Sequence, residues 1–256
     1  MLSMNQQFSL QGKNILISGA SSGIGRCVAL FCSRAGANIL MLGRNEKTLA
    51  ETLGMLEPAR HSLAVVDLND FSSYADVIAP FVEKNGKIYG IVHSAGIEFS
   101  GPYNLTKPQN FQNVFNINAV AGFELARIVA SKFSDPGSGG SFVFISSIRA
   151  LFGVEFATAY SASKGAVIAA SRSLALELAK KHIRVNTISP SLVLTPLLEN
   201  YFASLPEETI RKMKEQHPLG FGMPDDVANA CIYLLSDASR WMTGNNIILD
   251  GGYSVR

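Results

Sequence analysis

The chain of 256 residues holds only three cysteines, Cys27, Cys32 and Cys231, with no CxxC pair and no Cys/His spacing suited to zinc. That excludes a disulfide-stapled scaffold and a structural metal site, and it predicts no metal and a reduced, cytoplasmic setting. Long Lys/Arg clusters are missing and the formal charge is only +2. No nucleic-acid or anionic-membrane partner is therefore expected. No apolar run approaches the roughly 18 residues of a membrane span, and the first residues lack the basic-then-apolar order of a signal peptide. Repeats and linkers are absent too, and the one Gly/Ser-rich patch, "DPGSGGS" at 135–141, reads as a loop. With 47% hydrophobic residues the chain can bury a large core, so one domain over 1–256 is the economical reading.

What is present is an alternation. Short apolar, β-branched runs ("NILIS", "ANILML", "SLAVVDL", "KIYGIVHS", "SFVFISS", "IRVNTIS", "NNIILDGG") are separated by helix-like segments. Few polar residues interrupt them, as expected of strands buried on both faces. The pattern predicts an α/β fold, a Rossmann-like doubly wound parallel sheet of about seven strands with helices on both faces. The rhythm breaks after Ile188, where a stretch containing four prolines precedes a helix expected near Asp225. A substrate lid around 190–217 is predicted there, at a strand's carboxyl end.

The first strand runs into "SGASSGIG", which places Gly19, Gly23 and Gly25 where the chain leaves the sheet and enters a helix. Glycine permits the tight turn and close backbone approach, and the helix start offers free N–H groups to a pyrophosphate. The spacing is G-x3-G-x-G, not the G-x-G-x-x-G of the standard dinucleotide fingerprint. The second strand ends "ILMLGRN": no carboxylate stands there to hold a ribose 2'-hydroxyl, whereas Arg44 can accommodate a 2'-phosphate. NADP(H) is expected as the preferred cofactor, with NAD(H) possible, although Arg44 also reads as a solvated loop cation. Asp67, ending the third run, can accept from the adenine amino group or cap the following helix.

Taken in order, "SGASSGIG", Asp67, "HSAG" at 93–96, Asn118 in "NIN", Ser147 in "ISS", Tyr160 with Lys164, "NTISPSLVLT" at 186–195 and the ending "TGNNIILDGG" resemble the short-chain dehydrogenase/reductase family over nearly the whole chain. The resemblance is to its short single-domain branch, and most of all to 3-oxoacyl-carrier-protein reductases and secondary-alcohol dehydrogenases. Three positions depart from the family pattern. Ser18 replaces the usual Thr and keeps the hydroxyl. "HSAG" replaces Asn-Asn-Ala-Gly, so His93 and Ser94 lose amide hydrogen bonds that brace neighbouring strands. Ser191 replaces the glycine after Pro190.

The resemblance implies an oxidoreductase that transfers a hydride between a nicotinamide and a ketone or secondary alcohol. Catalysis would fall to Asn118, Ser147, Tyr160 and Lys164. Ser147 and Tyr160 would hold the carbonyl and Tyr160 would give it a proton. Lys164 would bind the nicotinamide ribose, and Asn118 would connect Lys164 to solvent through water. Cofactor contacts would come from Gly19, Ser21, Ser22, Gly23, Ile24, Gly25, Arg44, Asp67, Leu68, Ala95, Gly96, Pro190, Val193 and Thr195, together with Tyr160 and Lys164. Four residues make about one helical turn, so Tyr160 and Lys164 share a face, and a nearby ammonium would lower the Tyr160 pKa from about 10.

Spacing alone does not single out that pair, because Tyr103 and Lys107 repeat it. Thirteen residues before Tyr160 stands Ser147, whereas thirteen before Tyr103 stands Gly90, which has no hydroxyl. Pro102 and Pro108 also bracket the second pair, against one regular helix.

The pocket wall is expected from Ile148 to Phe156, from Glu98 and Phe99, and from the lid. Arg149, Phe152 and Phe156 are substrate candidates; Arg149 could hold an anionic group, stay solvated or pair with Glu155. Apolar and small residues on several faces of "FNINAVAGFELARIVASKF" and "AYSASKGAVIAASRSLALELAKK" fit the family's subunit interfaces, so a homotetramer is expected, with a dimer as runner-up. Competing readings are an NAD-dependent alcohol dehydrogenase acting on sugars or steroids and a non-catalytic dinucleotide sensor. A nucleotide-sugar epimerase is a further alternative, disfavoured because the chain lacks that group's larger C-terminal domain.

Overall fold

Residues 4–135 and 137–255 are described in a computed structural model. The seven apolar runs become β1 (Asn14–Ser18), β2 (Asn38–Gly43), β3 (Ser62–Val65), β4 (Gly90–His93), β5 (Gly140–Ile145), β6 (Ile183–Pro190) and β7 (Asn246–Leu249). They form one sheet in the order β3-β2-β1-β4-β5-β6-β7, and every neighbouring pair is parallel. Alternate side chains feed two cores. Leu16, Leu40, Phe142 and Phe144 face one helical layer, while Ile15, Ile17, Met41 and Val143 face the other.

Around the sheet run α1 (Met4–Gln7), α2 (Gly23–Arg34), α3 (Glu46–Leu53), α4 (Tyr74–Asn85), α5 (Pro108–Phe115), α6 (Ala121–Ile128), α7 (Thr158–Leu178), α8 (Pro196–Phe202), α9 (Glu207–Glu215) and α10 (Pro224–Leu235). Cys27 and Cys32 on α2 and Cys231 on α10 are buried free thiols in the core between those helices. α5 and α6 belong to one helical stretch, Pro108–Phe133, interrupted by π turns at Asn116–Val120 and Val129–Phe133.

Three sequence expectations are corrected. The stretch Pro108–Phe133 is long and apolar enough to cross a membrane by length and composition, which the sequence reading excluded; 56% of its apolar window is buried in the fold, the mark of a core helix. The third strand ends before Asp67, because β2 stops at Gly43 opposite Val65 and leaves the edge strand nothing further to pair with. Likewise Ser147 lies two residues beyond β5; its neighbour Ser146 still donates to the Ile188 carbonyl at 2.7 Å.

Sheet order reverses between β1 and β4, and their carboxyl ends open a crevice where ligands of such sheets collect. Ser18, His93, Ser147 and Pro190 all stand at that edge. The stretch 190–217, where a lid is expected, holds α8 and α9, neither of which has a buried residue.

Candidate active site

The glycine turn is built as the sequence predicts. Gly19 and Gly23 have φ of +73° and +52°, values in the left-handed region that favours glycine. A Cβ on Gly19 would stand 2.7 Å from the Ala95 backbone nitrogen, and one on Gly25 would collide with the Gly19 carbonyl. Only glycine lets β1, the turn and "HSAG" lie this close. Ser22 caps α2 without a side-chain hydrogen bond, so the first-turn N–H groups are not taken up by their own cap. Ser21 and Ile24 are partly accessible and Ser22 is exposed. The turn therefore fits a pyrophosphate.

The residues expected on the adenosine side stand at the same edge. Arg44 is exposed directly after Gly43, and Asp67 is exposed with its carboxylate accepting from the Asn69 backbone and side-chain nitrogens at 3.0 and 3.1 Å. Asp67 thus caps its own turn, while Asp70 stands before the next helical turn. Leu68 is buried in the core and its carbonyl accepts from Tyr74 Oη at 2.6 Å, which leaves only its backbone N–H for a ligand.

Of the residues expected near the nicotinamide, Pro190 closes β6 and buried Val193 bridges to Gly222. Thr195 caps α8, and its methyl carbon lies 3.3 Å from where a Cβ on Gly23 would be. The loop after β6 and the glycine turn therefore face each other.

The catalytic candidates converge in one hydrogen-bonded set. The Ser147 hydroxyl stands near enough to Tyr160 to act on its phenol. Lys164 is buried, and its Nζ donates to the Ile145 carbonyl at 2.8 Å while lying 5.8 Å from the Tyr160 ring centroid. Asn118, in the first π turn, is fully buried; it accepts from Ile97 N at 2.8 Å and donates to Ile97 O and Ser163 Oγ, each at 3.0 Å. Ser163 in turn donates to the Tyr160 carbonyl at 2.7 Å, and Ser146 donates to the Lys164 carbonyl at 2.9 Å. A Cβ on Gly96 would come within 3.3 Å of Asn118 Oδ1 and 3.4 Å of Lys164 Nζ, so these three residues border one gap.

Electrostatics correct one expectation. The Tyr160 pKa is raised, not lowered: burial contributes most and Glu98 next, against smaller opposing effects from Arg149 and the Ser147 hydrogen bond. Lys164 is not among the groups that move it, and burial lowers the pKa of Lys164 itself from 10.5 to about 8. Tyr160 is accordingly held as the protonated acid.

Arg149 is neither solvated nor paired with Glu155; it forms an ion pair with Glu98 and lies 5.6 Å over the Tyr160 ring. Phe152 and Phe156 are exposed on the loop after Ser147, and Phe152 lines a cavity of about 640 Å³ with Gly153, Tyr253 and Ser254. The second Tyr/Lys pair is not assembled. Tyr103 is 75% exposed on a short 3-10 turn and Lys107 lies outside it, at the N-cap of α5.

His93 does not leave the strands unbraced, as "HSAG" suggested. Its Nε2 faces the Ile117 carbonyl at 3.0 Å and must donate, so Nδ1 accepts from Ser18 Oγ at 2.8 Å. Burial, with the Lys164 charge, pushes its pKa down to about 4 and keeps it neutral. Two departures from the family pattern, Ser18 and His93, thus compensate each other. A third is also partnered: Ser191 Oγ meets His217 Nε2 at 2.6 Å and ties the loop after β6 to the end of α9. Sequence reasoning missed His217, Ser146 and the polar role of Ser163. Ser163 was the accessible one, because it precedes Lys164 on a helix already suspected of catalysis.

Comparison with known proteins agrees with this geometry. A family model described as Enoyl-(Acyl carrier protein) reductase matches residues 19–254. L-xylulose reductase of Caenorhabditis elegans is 32% identical over 98% of this chain and 99% of its own length. The 3-oxoacyl-[acyl-carrier-protein] reductase of Thermotoga maritima is also 32% identical, over 96% of this chain and 99% of its own. A short-chain type dehydrogenase/reductase from Mycobacterium marinum superimposes with a TM-score of 0.90 at 30% identity, covering 99% of this chain and 100% of that one. With the glycine turn and the Ser147–Tyr160–Lys164–Asn118 set in place, the chain belongs to the short-chain dehydrogenase/reductase family, single-domain oxidoreductases that act on CH–OH groups.

Proposed function

We propose that the protein is an NADP(H)-dependent carbonyl reductase that shares the hydride-transfer chemistry, though not the thioester substrate, of the 3-oxoacyl-carrier-protein reductases. The observation that carries this reading is that Ser147, Tyr160, Lys164 and Asn118 meet beside the glycine turn, with Tyr160 protonated. Reduction of a ketone needs an acid at the carbonyl oxygen, and a neutral, partly buried Tyr is one.

A bound reduced nicotinamide supplies the hydride. Gly19 to Gly25 hold its pyrophosphate, and Arg44 favours a 2'-phosphate over a bare ribose. Thr195 would hold the carboxamide of a bound nicotinamide, and Pro190 and Val193 would line its plane. Ser147 and Tyr160 donate to the substrate oxygen, and Tyr160 passes its proton to that oxygen as the alcohol forms. Lys164 has three N–H donors, of which one is committed to Ile145; the others would serve the ribose hydroxyls of a bound cofactor. Asn118 fixes Ile97 and Ser163 on either side of the gap through which Lys164 recovers a proton from water.

Free, buried cysteines fit a reducing, cytoplasmic setting. A homotetramer is supported by apolar side chains left exposed on two surfaces. Val120 and Leu176 lie on the long helical stretches, Ile248 lies on the edge strand β7, and Trp241 precedes that strand. The mobile element of the site is assigned to the lid, residues 190–217.

The test is Tyr160→Phe. It should abolish ketone-dependent consumption of NADPH while NADPH binding, followed by cofactor fluorescence, persists. Wild-type turnover in this variant would overturn the reading, and equal use of NADH and NADPH would overturn the cofactor preference.

A further inference from the structure

The pair formed by Glu98 and Arg149 is built into the catalytic scaffold from both ends. Arg149 stands two residues after Ser147, and its backbone N–H donates to Ser147 Oγ at 3.2 Å. Glu98 follows Ile97, whose N–H and carbonyl are both held by Asn118. Their side chains are 35% and 21% exposed for Glu98 and Arg149, so a ligand at Tyr160 can reach both. The Arg149 guanidinium lies 5.6 Å over the Tyr160 ring, which brings the ion pair to the candidate reacting centre.

The bonding of the pair is lopsided. Glu98 Oε1 takes both the Arg149 contact and Ser100 Oγ at 3.0 Å. Among the described residues, Glu98 Oε2 accepts from no one, and Arg149 Nε and the second guanidinium nitrogen donate to no one. The pair therefore keeps an acceptor and donors without protein partners, on side chains that neighbour Tyr160.

We propose that Glu98 and Arg149 read the substrate, selecting ketones that carry a hydroxyl group on the carbon next to the reacting carbonyl. This rests on the carbonyl-reductase reading and names its substrate class. A hydroxyl is both donor and acceptor, so it gives its proton to Glu98 Oε2 and accepts from the guanidinium without breaking the pair. An acyl chain laid over the pair would strip water from two charges and return no hydrogen bond. A thioester carbonyl satisfies Arg149 alone, and a carboxylate must pull Arg149 away from Glu98. The hydroxylated ketone is the ligand that leaves nothing unmatched.

The experiment compares 1-hydroxy-2-butanone with 2-butanone, and with acetoacetyl-coenzyme A, by consumption of NADPH. The expected result is a kcat/KM at least about tenfold higher for the hydroxyketone than for either of the others, since a site built to bond a hydroxyl rejects its deoxy analogue. Replacing the pair by Glu98→Leu with Arg149→Leu should bring the hydroxyketone-to-butanone ratio to within about twofold of unity; Glu98→Gln, which preserves shape, should lower it several-fold. NADPH fluorescence confirms that each variant is folded. A wild-type ratio near one, a preference for the thioester, or an unchanged ratio in Glu98→Gln overturns the proposal while leaving carbonyl reduction intact. Failure to reduce any of the three overturns both.

Discussion

Tyr160 with Lys164 and Tyr103 with Lys107 share one spacing and have opposite surroundings. The first pair lies on a 21-residue helix, α7, with Lys164 buried and its amine bonded to the end of β5. The second straddles a three-residue turn and the start of α5, with Tyr103 in open solvent. Spacing supplies a shared face only where a helix is continuous, and shifted proton affinities arise only where water is excluded. Chemistry is a property of the neighbourhood, and it can be probed by altering matched residues on the two sides.

The largest contrast is expected from removing the phenol oxygens. Tyr160→Phe should reduce kcat by about 10²–10⁴-fold, the usual contribution of a positioned acid. Tyr103→Phe should leave it unchanged within twofold, and a comparable loss there would break the contrast. Both are read from initial rates with saturating NADPH and a ketone.

The lysines should differ in how stability depends on pH. Lys164 is lowered from 10.5 to about 8 by burial, so between those values the unfolded chain binds the extra proton. Stability contributed by this residue should therefore rise as pH increases from about 8 to 10.5, by about 3 kcal/mol in all. Cys27, raised to about 12, acts in the opposite direction, so the quantity to measure is the difference between wild type and Lys164→Met in urea titrations across that range. Lys107→Met should give a flat difference. A flat difference for Lys164 would mean that its ammonium is not desolvated.

A smaller effect separates two asparagines in the same helical stretch. Asn118→Leu removes the partner of Ile97 N, Ile97 O and Ser163 Oγ inside the protein and should destabilise it by about 2 kcal/mol. Asn113, which only accepts from exposed Gln109, should tolerate Asn113→Ala within about 0.5 kcal/mol in urea midpoints.

These contrasts also mark what the sequence could and could not disclose. All seven apolar runs became strands, because burial on both faces writes itself into composition. The glycine turn was legible because its backbone conformation and its contact with Ala95 demand the absence of a Cβ. Partners joined across the fold were not legible. Arg149 finds Glu98, distant in sequence, and not Glu155, because β4 and β5 are adjacent in the sheet. The direction of the Tyr160 shift was misread for the same reason: a sequence shows which charge is near along a helix, but not which groups share its burial.

His93 is the residue for which the sequence suggested a loss and the fold supplied a gain, and it allows the finest test of how the neighbourhood is built. Its ring occupies the space over Gly122, where an added Cβ would lie 2.6 Å from Cδ2 and 2.7 Å from Cγ. Gly122→Ala alone should therefore overpack the site and cost about 2 kcal/mol. The shorter side chain of His93→Asn vacates that space, though it gives up the reach to Ser18 or to Ile117, for a cost of about 1 kcal/mol. With both changes the two penalties should not add, since the alanine methyl fills what the imidazole left; a coupling of about 1–2 kcal/mol is expected in a double-mutant cycle. Simple additivity would mean that Gly122 is not the residue that admits His93. The same pair of changes should leave Tyr103 and Lys107 untouched, because nothing in their surroundings depends on a packed ring.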